Sequence, residues 1–61
     1  MKTKERKNLA KKIAAAEMAL QKATSTEEKA RLELEITKLG SKVDNFGDLM
    51  VIEEMVQDLL K

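Results

Sequence analysis

Three stretches of this sequence repeat their apolar residues at helical spacing. Leu9, Ile13, Ala16, Leu20 and Ala23 are separated by four, three, four and three positions, which places them in one stripe along an α-helix. Leu32, Ile36, Leu39, Val43 and Phe46 repeat the same rhythm. Further on, Leu49, Val51, Ile52, Met55, Val56, Leu59 and Leu60 fill an arc of about 180°, at roughly 100° per residue. Glu53, Glu54, Gln57 and Asp58 lie opposite that arc, with Met50 among them. The pattern predicts three helices, at about 4–23, 26–46 and 49–60, within a single domain covering 1–61.

The breaks between the helices carry their own signals. In Thr24-Ser25-Thr26-Glu27-Glu28, Ser25 suits an N-cap and Glu28, three residues on, completes a capping box. Glu27 and Glu28 also suit the positive end of a helix dipole. On one uninterrupted helix the first two stripes would point about 180° apart, and a hairpin at 24–26 removes that conflict. The competing reading is a continuous helix, because Ala30 and Leu34 prolong the Leu9–Ala23 stripe. Gly40-Ser41 could end the second helix early, with Ser41 as a cap and Asp44 as its partner. Leu39, Val43 and Phe46 nevertheless hold phase through Gly40, and one interior glycine costs only about 1 kcal/mol. The break is therefore expected at Phe46-Gly47-Asp48, with Gly47 in the left-handed conformation and Asp48 capping the third helix. The expected fold class is all-α: an antiparallel helical hairpin plus a shorter third helix, self-associating into a helical bundle of coiled-coil-like packing.

Composition narrows the chemistry more than the fold. The 61 residues include no His, Cys, Pro, Trp or Tyr, one Phe and two Gly. Disulfides, thiolate zinc sites, imidazole ligands and Cys or His nucleophiles are thereby excluded. No cofactor is expected. Asp44, Asp48, Glu53 and Glu54 superficially suggest a calcium loop, but Phe46 and Gly47 occupy the third and fourth positions, against the required spacing. Glu33 with Glu35 and Glu53 with Glu54 diverge on a helix and form no acid–base pair. The sequence thus reads as non-enzymatic.

Charge is unevenly placed, although the net is +1. Residues 1–22 hold Lys2, Lys4, Arg6, Lys7, Lys11, Lys12 and Lys22 against Glu5 and Glu17, a net of +5. Residues 43–61 hold Asp44, Asp48, Glu53, Glu54 and Asp58 against Lys61, a net of −4. Head and tail are suited to attract each other, within one chain or between two. Lys4, Lys7 and Lys11, with Lys12 beside them, are the candidate contacts for an anionic partner, nucleic acid included. Arg6 and Asn8 are the only nearby base-reading types, so such binding would be non-specific.

Chains this short bury too little surface to be robust alone, and association is a common remedy. The wide arc of the third helix suits the groove of its own hairpin, with an apolar edge left over. Val51, Ile52, Met55, Val56 and Leu59 on that arc, together with Met18 and Leu34 opposite the main stripes of their helices, form the expected protein interface. The expected partner is the chain itself, a dimer being favoured, or another protein. The longest run of large apolar residues is Leu49-Met50-Val51-Ile52, far short of the roughly 20 needed to span a membrane. Glu17 interrupts the one stretch that faintly resembles a leader. The expectation is a cytoplasmic protein with a regulatory, inhibitory, adaptor or assembly role.

Overall fold

Residues 3–22 contain no helix breaker, and the structure, a computed structural model describing residues 2–61, forms α1 from Thr3–Lys22. Its basic start is partly compensated by Glu5, whose carboxylate accepts the Lys2 backbone N–H at 3.4 Å. Ala23 turns into extended backbone and donates its N–H to the Leu20 carbonyl at 3.2 Å. The helix ends there, so the chain makes the hairpin rather than one long helix. Ser25 occupies the N-cap of α2 (Thr26–Ser41) in extended conformation. Its hydroxyl makes no cap bond, so the expected capping box is not closed. The start is held instead by Lys29 N–H on the Ser25 carbonyl at 3.0 Å, with Glu27 and Glu28 in the first turn.

The second break differs from the one expected. α2 stops at Ser41, and α3 runs Phe46–Leu60, so Phe46 starts the third helix instead of finishing the second. Two local choices compete successfully with the apolar rhythm. The Ser41 hydroxyl donates back to the Lys38 carbonyl at 2.8 Å and does not cap a following helix. Asn45, extended at φ −114° and ψ 127°, is the true N-cap: its Oδ1 accepts the Gly47 N–H at 2.7 Å. Gly47 lies inside α3, and no glycine has positive φ. Its role is one of space, because a Cβ there would sit 3.2 Å from Asn45 Oδ1. Asp48 is thereby the third residue of α3 and not its cap. Asn45→Ala is expected to cost about 1 kcal/mol, read as a lowered midpoint in a thermal melt followed by circular dichroism.

Packing puts α1 in the middle. It contacts both α2 and α3, which scarcely touch each other. One buried cluster joins Leu9, Ala10, Ile13 and Ala14 of α1 to Leu39 of α2 and to Ile52 and Val56 of α3. Ile36, Val43, Met55 and Leu60 pack against it. The buried face of α1 is thus wider than the Leu9 stripe. Ala14 is buried, and so is Ala10. A helix with neighbours on two sides needs that extra width, and small side chains at its edge let a partner sit close. At the open end, Arg6 Nε lies 3.1 Å from Asp48 Oδ1, both side chains being largely shielded from solvent. This pair ties the start of α1 to the start of α3, so the chain runs up, down and up again. The body measures 35 × 23 × 15 Å.

Candidate interaction surface

The third helix does not settle into the groove of its own hairpin. It packs on α1 instead and leaves a groove between itself and α2. The floor is apolar, made by Ile13, Ile36, Ile52 and Val56, with Leu49 and Met50 adding to one wall. Gly40 widens the other wall, and the place of a Cβ there has no atom within 4 Å. The volume is about 720 Å³. A second recess of about 420 Å³ between α1 and α2, with Leu20 in its lining, shares Glu17 and Ile36 with the first, so the two adjoin along α1 as a trough in two parts. From Ile13 to Gln21 the trough follows about 12 Å of α1, at 1.5 Å per residue.

The charged residues of the lining are of one sign. Glu17, Glu53, Glu54 and Asp58 border the main groove, and Glu33 borders the second recess. Neither lining contains a lysine or an arginine. The acidic tail is visible in the sequence; that Glu17 and Glu33 join it is not, because it depends on how the three helices cross. Among the described residues, no three such side chains converge as a metal-binding set. The carboxylates therefore act as a diffuse negative field around an apolar strip.

The residues expected at an interface divide into three groups. Met18, Leu34 and Leu59 are exposed. Val51 and Met55 are half-buried, and Met55 packs against the core. Ile52 and Val56 are buried within the single chain, at 0% and 3% exposure, and are corrected from partner contacts to core residues. The wide arc of α3 is the reason: one side of it serves α1, leaving only the edges for anything else. Among the described residues, two more large apolar side chains are exposed, beyond those expected at the interface. Met50 stands on the groove wall at 51% exposure, and Phe46, displaced from the second stripe by the Asn45 cap, stands at 76%. A signal for Phe46 is present, since Asn45 with Asp48 three residues later marks a helix start.

Lys4, Lys7, Lys11 and Lys12 are all exposed. Lys4, Lys7, Lys11, Ala15, Met18 and Lys22 follow one another along α1 at three- or four-residue spacing, giving a ridge of lysines with Met18 set into it. Lys12 sits off this ridge, about 100° round the helix from Lys11. The ridge lies roughly 140° round α1 from the side of Ile13 and Glu17 that faces the groove. One chain therefore carries an acidic, apolar-floored trough and, on nearly the opposite side, a basic ridge with an apolar knob.

No helix among the described residues is long and apolar enough to cross a membrane. Comparison with known proteins gives no significant similarity: no family model, no curated protein and no solved structure matches this chain.

Proposed function

We propose that this chain is a small non-enzymatic helical module for protein–protein interaction, acting through its apolar helix faces as a homo-oligomer in a regulatory, inhibitory, adaptor or assembly role. The uncovered groove between α2 and α3 carries the reading. Its lining includes the exposed Met50 and the half-buried Leu49 and Ile36, so hydrophobic surface is left open where a bundle would place another helix. Burying such surface releases about 25 cal/mol per Å². The composition supports the non-enzymatic part, since His and Cys are lacking and no nucleophile–base pair stands out.

Sedimentation equilibrium from micromolar to submillimolar concentration tests the proposal. The expected result is a weight-average mass that climbs above the 6.9 kDa of one chain as concentration rises. A single species of chain mass throughout would overturn it. The exposed lysine ridge favours a second reading, non-specific nucleic-acid binding. The two readings separate on random-sequence duplex DNA at low salt, which only the second reading expects to be bound.

A further inference from the structure

We infer that copies of this chain associate head to tail, the lysine ridge of α1 in one copy seating in the acidic trough between α2 and α3 of the next. The inference rests on the homo-oligomer proposal and gives it a geometry. Charge decides the occupant. The trough is bordered by Glu17, Glu33, Glu53, Glu54 and Asp58 with no basic residue in its lining. The ridge carries Lys4, Lys7, Lys11 and Lys22, all exposed, with Met18 between Lys11 and Lys22 at 46% exposure. Met18 supplies a flexible apolar knob for the accessible apolar lining, Met50, Leu49 and Ile36, and the lysines reach the carboxylates on either side.

Symmetry then follows. A two-fold dimer closed groove to groove would bring two sets of five like charges together, which opposes it. The ridge and trough of one chain point in different directions, so both are available at once. Such a contact is heterologous: it closes into a ring or continues as an open chain, and it does not stop at two copies by symmetry. The charged rim is solvent-exposed, so association weakens as salt rises.

Two charge-reversed variants and one apolar variant test this, again by sedimentation equilibrium. The ridge variant is Lys4→Glu with Lys7→Glu and Lys11→Glu. The trough variant is Glu53→Lys with Glu54→Lys and Asp58→Lys. All six positions are exposed, Lys4→Glu puts an acid in the first turn of α1 and Asp58→Lys a base in the last turn of α3, so both are expected to fold. Circular dichroism confirms that before association is read. Each variant alone is expected to associate at least 10-fold more weakly than the native chain, and their equimolar mixture to recover assembly. Met18→Ser leaves every charge in place and is expected to weaken native assembly about 5-fold. A native chain whose mass stops at a dimer, a mixture that does not recover, or an unaffected Met18→Ser overturns the head-to-tail contact while leaving self-association standing. A native chain that stays monomeric removes both.

Discussion

Ile52→Ala is expected to lower the stability of the protein by about 2–5 kcal/mol. Among the described residues, Ile52 is the one large side chain with no solvent exposure, and it belongs to the cluster that joins all three helices. Truncating a buried Ile to Ala costs about 2–5 kcal/mol, the larger values applying where the surroundings cannot close over the space. A chain of 61 residues has a total stability of roughly 3–9 kcal/mol on the usual per-residue scale. The substitution therefore removes between about a fifth and the whole of what is available. Urea denaturation followed at 222 nm should show the midpoint fall steeply or the folded baseline vanish. Leu59→Ala is the matching control, because Leu59 is exposed. At concentrations where the chain is monomeric it should shift stability by less than about 0.5 kcal/mol. Equal effects from the two substitutions would mean that α3 is not docked as described.

That contrast shows what periodicity conveys and what it does not. The stripe of α3 identifies Ile52, Val56 and Leu59 together as apolar, and all three do lie on the same wide arc. Which of them faces the chain's own core depends on where α1 lies, and spacing within one helix contains no information on that. The hairpin between α1 and α2 is legible because two independent signals agree: the phase of the stripes reverses at the point where Ser25 and two glutamates signal a helix start. The next junction sets the same two kinds of signal against each other. The stripe runs on to Phe46, while Gly40, Ser41 and Asn45 favour a break. The structure follows the backbone chemistry, through the Ser41 bond to Lys38 and the Asn45 bond to Gly47. A short helix gains little by adding one more turn, whereas a capped start and a reversed direction let α3 bury Ile52 and Val56 against α1. The acidic tail is likewise plain from sequence, but its extension through Glu17 and Glu33 into the trough requires the crossing of all three helices.

Ala10→Leu should expose the same distinction through the sign of its effect. By sequence the change looks harmless, since Leu is nearly as good a helix former as Ala and adds apolar surface to a chain short of it. Ala10, however, has 0% exposure and lies in the buried cluster with Ala14, on the edge of α1 beyond the Leu9 stripe. The added carbons have no solvent to enter, so a neighbouring helix must shift or the side chain must leave its preferred rotamer. Overpacking of this kind costs about 1–3 kcal/mol. Ala15→Leu is the control on the same helix, at an exposed position, and should leave stability within about 0.5 kcal/mol. Denaturant midpoints of the two variants compared with the native chain decide the matter. A stabilised Ala10→Leu would mean that α1 has room along that edge, and the central place of α1 between α2 and α3 would have to be redrawn. Because the trough runs along α1 between those helices, the displacement that accommodates the larger side chain should also disturb the apolar floor made by Ile13, Ile36, Ile52 and Val56. Self-association should therefore weaken in Ala10→Leu even under conditions where its helical content is intact.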